Sequence, residues 1–419
     1  VRGVIMGGTC GQEGSSVMAS ETTDAVIAAP QPDLKLMEQP TKHERGWRRV
    51  VRNFTPSWFS VTMGTGIVSM LLHSLPYNGA WLYWLSIVIF VLNVFLFMAG
   101  CFITLLRHIL YPEVFLAMIK HPVQSMFIGC FPMGLATIIN MICAVCVPAW
   151  GQGASYLALG LWILDAAISV TVALLLPFML MAHGEEMQLS SMTAVWLLPI
   201  VSCNVAASTG AAVAEVLPNL DYALWTVITS YVLWGIGLPL ALMVMVIYLA
   251  RLALHKLPPK AVIVSVFLPL GPLGQGSLGA TKLGECACDL FPQTKTLEQG
   301  SETSLYTIGF LIGFALWSFG LVWLFFAIAS IACSKTFPFN IGWWGFTFPL
   351  GGFATATCQI GKELPSEFFN ILGTILSLSV VILWIVVSIG TLKGAVSGKL
   401  FFAPCLADLR EDKDDGKRA

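Results

Sequence analysis

Uncharged apolar runs recur down the chain, separated by short polar breaks. A transmembrane helix needs about 20 mostly apolar residues. Runs of that kind predict ten helices, near 54–74, 81–106, 123–146, 154–182, 192–217, 222–250, 261–281, 305–332, 339–361 and 366–392. Residues 1–52 lack the pattern. Gly, Ser, Glu and Pro are scattered there without hydrophobic periodicity, which reads as a disordered segment. It contains no apolar core of signal-peptide length. A transmembrane domain is expected over 53–400, and residues 401–419 read as a charged, solvated tail.

A second pattern overlies the first. The odd-numbered runs share a short core: Thr62-Met63-Gly64, Pro132-Met133-Gly134, Pro199-Ile200-Val201, Pro269-Leu270-Gly271 and Pro349-Leu350-Gly351. The cores are 70, 67, 70 and 80 residues apart, so one repeat is about one helical hairpin. Small or polar residues follow each core, whereas even-numbered runs such as Trp81 to Phe102 are bulky and apolar almost all round. Pro within a helix frees a carbonyl and bends the axis. Freed backbone groups at bilayer depth need protein or a water-filled cavity against them. The expected fold is therefore an all-α polytopic membrane protein of ten helices in five hairpins. Kinked odd helices would surround a central pore in a quasi-fivefold arrangement, with the even helices outside. The competing reading is that the small residues only permit close helix packing.

Composition fixes the environment. The chain is 57% hydrophobic and 11% charged, with a mean hydropathy of +0.80, whereas soluble domains carry about 25% charged residues. The surplus apolar surface must face lipid. A net charge of −1 excludes a basic nucleic-acid binder, and 11 Cys spread over 419 residues exclude a disulfide scaffold. With a cytoplasmic N-terminus, 19 of the 22 Lys and Arg fall inside, leaving Lys282, Lys295 and Lys362 outside. The positive-inside rule thus predicts two cytoplasmic termini. The sequon Asn53-Phe54-Thr55 would then face the cytoplasm and stay unglycosylated.

The first odd run, Phe54-Thr55-Pro56-Ser57-Trp58-Phe59-Ser60-Val61-Thr62-Met63-Gly64-Thr65-Gly66-Ile67, resembles the first-helix signature of fungal sulfite efflux pumps. Leu268-Pro269-Leu270-Gly271-Pro272-Leu273-Gly274-Gln275-Gly276 and Gly342-Trp343-Trp344-Gly345-Phe346-Thr347-Phe348-Pro349 point the same way. Those pumps belong to the tellurite-resistance/dicarboxylate transporter family, with yeast malic-acid permeases and plant slow-type anion channels. The resemblance covers roughly residues 50–400. It implies ten helices around a pore, a homotrimer, a plasma-membrane location and a pore-blocking aromatic that falls on Phe348. Thr62 departs from the Pro typical of the channel branch.

No Lys or Arg falls inside a predicted span, so a permeating anion must be stabilised by dipoles. The candidate pathway residues are Ser60, Thr62, Thr65, Thr137, Asn140, Ser202, Asn204, Gln275, Ser277, Thr347 and Thr355. For each hydroxyl the alternative is a bond to the carbonyl one turn back. Phe348, Phe131, Leu198 and Leu268 each precede a shared Pro and are candidate gate residues, since an apolar constriction can exclude water. Asp165, the one carboxylate deep in a span, is a candidate for proton coupling. Arg107, His108 and His121 would gather anions at the cytoplasmic side, or serve only as topology determinants.

Cys143-Ala144-Val145-Cys146 reads as core thiols rather than a redox pair, because no His accompanies it. Cys286 and Cys288 are expected in or beside the loop after helix seven, where an oxidising exterior would allow disulfides. His73 reads as interfacial, and Gly64-Thr65-Gly66 is too short for a phosphate loop. No metal and no cofactor is expected. An enzyme would need paired carboxylates or a nucleophile with a base within the spans. Export of sulfite or hydrogensulfite is the leading expectation, with malate transport by the same fold as its rival.

Overall fold

The computed structural model describes residues 46–183, 188–298, 300–334, 336–404 and 406. These residues are helical, with no strand among them. In chain order the principal helices are α1 (Phe59–Ser74), α2 (Ala80–Leu110), α3 (Cys130–Met141), α4 (Gln152–His183) and α5 (Leu197–Val216). They continue with α6 (Leu220–His255), α7 (Leu270–Thr294), α8 (Ser301–Cys333), α9 (Thr347–Glu363) and α10 (Glu367–Val396). The even helices run for 30 to 36 residues, which is about 45–54 Å at 1.5 Å per residue.

Burial separates the two sets. In the apolar windows of the odd segments containing α3, α5 and α7, 72%, 94% and 89% of residues are buried, against 28% to 39% in the even helices. The even helices bury a single stripe each. On α2 it is Leu82, Ser86, Ile89, Asn93, Phe97 and Gly100; on α8 it is Gly313, Trp317, Gly320, Trp323, Ala327 and Ser330. Steps of three and four residues put such positions on one helix face. The opposite face of α2 exposes Trp84, Val88, Val91, Phe95 and Phe102. So much apolar surface in one band requires lipid, and the protein is a multi-pass membrane protein. Eight helical segments among the described residues are long and apolar enough to cross a membrane. The helices α1 and α9 fall short, at 16 and 17 residues.

The odd helices pack in a cycle: α1 on α3, α3 on α5, α5 on α7, α7 on α9, and α9 back on α1. Each even helix packs on its hairpin partner and on the next odd helix. A hydrogen bond marks that second contact every time. Asn93 Nδ2 on α2 donates to Thr137 Oγ1 on α3 at 3.2 Å. Indole N–H groups do the rest, from Trp162 to the Ala206 carbonyl at 2.8 Å, Trp234 to the Gly276 carbonyl at 2.9 Å and Trp317 to Thr357 Oγ1 at 2.8 Å. Trp384 on α10 completes the series at Thr65 on α1.

Two sequence expectations are corrected. The shared prolines do not kink helices in their middles. Pro132, Pro199 and Pro349 occupy the third position of α3, α5 and α9, and Pro269 caps α7. Each of the five odd helices follows a 3₁₀ segment: Pro56–Trp58, Ser125–Gly129, Ala194–Trp196, Lys260–Phe267 and Ile341–Phe346. Pro is cheap where a first turn begins, because N–H groups there have no α-helical acceptor. The motif therefore marks a switch from 3₁₀ to α geometry. Second, α7 does not end near residue 281 but runs to Thr294, so Cys286 and Cys288 are helical rather than in a loop.

At the termini, Trp47–Arg52, within the stretch expected to be disordered, forms a short helix, and residues 1–45 lie outside the described residues. Phe401 stacks on Trp58 with centroids 4.9 Å apart, while 407–419 lie outside the described residues.

Candidate functional site

Small residues on the odd helices sit where neighbouring helices touch. A Cβ on Gly274 of α7 would lie 2.6 Å from the Phe353 backbone nitrogen of α9, and one on Gly64 of α1 would lie 2.3 Å from Thr347 Oγ1. At these contacts the close-packing reading holds.

Most candidate pathway hydroxyls spend their proton locally. Ser60, Thr62, Thr137, Ser202 and Thr347 donate to the carbonyl three residues back, and Thr355 to the carbonyl four back. Each then presents lone pairs to its surroundings, not an O–H. Thr65 accepts from Trp384, and Thr137 accepts from Asn93. Asn204 is fully buried against α6 with neither amide atom hydrogen-bonded among the described residues, and Ser277 Oγ is likewise unpartnered. Gln275 Oε1 on α7 accepts from Ser208 Oγ on α5 at 2.9 Å.

The α3, α5, α7 and α9 positions before the shared prolines are not alike. Phe348 is buried, at 2% exposure, and makes no ring–ring contact among the described residues. Phe131 instead packs against Phe59 and Phe97, with centroids 5.1 and 5.2 Å away, which turns its ring toward α1 and α2. Leu198 and Leu268 are buried. The Leu198 backbone passes against Gly129, and Leu268 lies against Gly345.

All five odd segments contribute to one cavity of about 310 Å³, lined from the C-terminal halves of α1, α3, α5 and α9 and from the middle of α7. Asn140, Ser208 and Thr355 line it, together with His73, Glu215, Lys282, Gln359 and Lys362. Asn140 and Thr355 are the members of the eleven-residue pathway set found there. Asn140 Nδ2 donates to Thr209 Oγ1 at 2.8 Å and to the Ala136 carbonyl at 2.9 Å.

The rim of the cavity carries a charged network that hydropathy overlooked. Lys282 Nζ lies 3.1 Å from Glu215 Oε1 on α5 and 2.7 Å from Glu285 Oε2 one turn on. Gln359 Nε2 on α9 donates to one oxygen of Glu285 and one of Glu363, each at 2.8 Å. Tyr306 on α8 donates to the other Glu363 oxygen. Glu215, Lys282 and Glu285 were legible as an acidic–basic–acidic set on consecutive odd runs. Lys282 and Glu285 lie past the predicted run 261–281 and ended it, whereas Glu215 falls inside the run 192–217 near its end.

The remaining candidates lie elsewhere. Arg107 is 1% exposed; its Nε donates to the Arg52 carbonyl at 3.2 Å and its Nη1 approaches Met118 Sδ. It clips the two short helices Trp47–Arg52 and Glu113–Lys120 to α2. His108 stands edge-on to Phe115, and His121 Nδ1 accepts the Val123 and Gln124 amides. Asp165 on α4 is fully buried, with neither oxygen hydrogen-bonded among the described residues. Asp165 sits within one turn of Trp162, whose indole meets α5. Cys143 and Cys146 are buried free thiols in a π-helical turn, and Cys286 and Cys288 are free as well. Cys286 Sγ faces the Ala211 carbonyl at 3.5 Å.

Comparison with known proteins supplies the context. The chain matches the voltage-dependent anion channel family (SLAC1) over residues 53–392. It is 49% identical over 351 residues to a sulfite efflux pump of Arthroderma benhamiae, spanning 84% of this chain and 93% of that protein. A sulfite efflux pump of Candida albicans is 30% identical over 365 residues, 81% of this chain and 74% of the relative. A malic acid transport protein of Schizosaccharomyces pombe is 24% identical over 339 residues, 80% and 77% of the two chains.

Proposed function

The chain belongs to the voltage-dependent anion channel family, and from that premise we propose that it exports sulfite or hydrogensulfite across the plasma membrane. The observation that carries the substrate is the 49% identity to a sulfite efflux pump along nearly its whole length. Malate transport has the weaker support of a 24% relative. The reading is of a transporter and not an enzyme.

The proposed architecture is ten spanning helices in five hairpins on a quasi-fivefold axis, with a pore between the odd helices. The cyclic packing and the repeated outer-to-inner hydrogen bonds support it. With their 3₁₀ leaders, α1 and α9 reach about 30 and 38 Å, enough for a hydrocarbon core of about 30 Å. The proposed pathway leads through the polar inner faces to the cavity lined by Asn140 and Thr355, with Phe348 as its gate. A neutral interior suits transport, since binding must be firm enough for uptake and weak enough for release. Asp165 is the proposed proton carrier if export is proton-coupled; its two unpartnered oxygens support that role. Both termini face the cytoplasm in this account, which places the cavity at the outer mouth. The family resemblance supports a homotrimer.

Expression in cells that lack their own sulfite exporter tests the substrate. Sulfite tolerance should rise. Unchanged tolerance with verified surface expression would move the assignment to malate.

A further inference from the structure

Lys282 and Lys362 are the only Lys or Arg residues on α1, α3, α5, α7 and α9. The two are 80 residues apart in sequence, on different helices, yet both line the one cavity to which all five helices contribute. They differ in their surroundings. Lys282 is held between Glu215 and Glu285. Lys362 forms no ion pair among the described residues, and with His73 it also lines a neighbouring recess of about 470 Å³. The Nδ1 atom of His73 is buried without a hydrogen-bond partner. The cavity lining therefore carries an uncompensated cation on α9, an imidazole nitrogen without a partner on α1 and a neutralised cation on α7.

We infer that this cavity is an anion-binding station at the mouth of the pathway, where Lys362 and His73 hold a small inorganic oxyanion. Glu215 and Glu285 keep Lys282 occupied, so the anion meets one free ammonium rather than two and departs readily. Charge-assisted hydrogen bonds at both lysines would make a tight site, unsuited to release. Placing the station at the exit rests on the export reading; the station itself does not.

The test uses purified full-length protein and sulfate as probe. Thermal unfolding is followed against sulfate concentration, with ionic strength held constant by gluconate. Binding to the folded state raises the melting temperature. Lys362→Gln should raise the half-saturating sulfate concentration about tenfold, the scale of one lost charge-assisted contact. Lys362→Arg should stay near the parent value. Glu215→Gln, which removes from the cavity lining one of the two carboxylates that hold Lys282, should lower the half-saturating concentration. Overturning results are a parent protein with no sulfate-dependent rise, or a Lys362→Gln variant that titrates like the parent. If Lys362→Gln does not fold, Glu215→Gln decides, and an unchanged or higher half-saturating concentration rejects the station. Sulfite flux in the same preparation keeps the two readings apart: sulfate binding without sulfite flux would fail the export reading and leave the station standing.

Discussion

Trp384 on α10 donates its indole N–H to Thr65 Oγ1 on α1 at 3.1 Å, joining the last long helix to the first short one across 319 residues of chain. Trp162, Trp234 and Trp317 make the corresponding contact between successive hairpins, and Asn93 replaces the indole at α2. Trp384→Phe keeps most of the ring and removes the donor. The expected cost is about 1 kcal/mol, the net worth of one buried hydrogen bond. Thermal unfolding of the purified variant checks this, and an unchanged melting temperature would make the contact incidental.

Helix contacts at glycine should be equally sensitive. Gly274→Ala drives a Cβ to 2.6 Å from backbone, which no rotamer change relieves. It should destabilise by about 1–3 kcal/mol, as overpacking does. Gly160→Ala on α4 has nothing within 4 Å of the new Cβ, and it should be neutral or stabilising through helix propensity. Folded yield after size-exclusion chromatography separates the two variants.

Phe348→Ala should raise transport per folded molecule severalfold if the ring blocks the pore. Loss of a buried Phe in a soluble core costs about 3–5 kcal/mol. Flux must therefore be normalised to folded protein. Unchanged or reduced flux per folded molecule would make Phe348 a packing residue only.

Accessibility distinguishes the inner from the outer surface. A single Cys at Ala212, which lines the cavity, should react with a membrane-impermeant maleimide. A single Cys at Val91, on the exposed apolar stripe of α2, should not, because lipid covers it. Equal reactivity would contradict an inner and an outer set of helices.

Much of this was legible in the sequence, because hydropathy and a repeat of about 70 residues report the same hairpins. Burial follows the odd and even alternation that the Pro and small-residue cores announced. The meaning of those cores was not legible. A Pro within an apolar run reads as a kink, and the local pattern does not distinguish that from the start of an α-helix after a 3₁₀ leader. Ser60, Thr62 and Thr347 take the alternative that the sequence already offered for each hydroxyl, a bond to a carbonyl one turn back. Arg107 reads as an exposed cation because its partners, Arg52 and Met118, lie on segments whose packing no periodicity reveals. His73 and Lys362 come together only through the packing of α1 against α9, so neither stood out alone. The indole series was visible as a Trp near the same place in successive even helices.

The most direct test of the central claim is efflux of radiolabelled sulfite from proteoliposomes containing the purified protein, run beside radiolabelled malate. Sulfite flux should exceed that of protein-free liposomes and should exceed malate flux at equal concentration. Malate flux without sulfite flux, or neither above background from folded protein, would contradict the account.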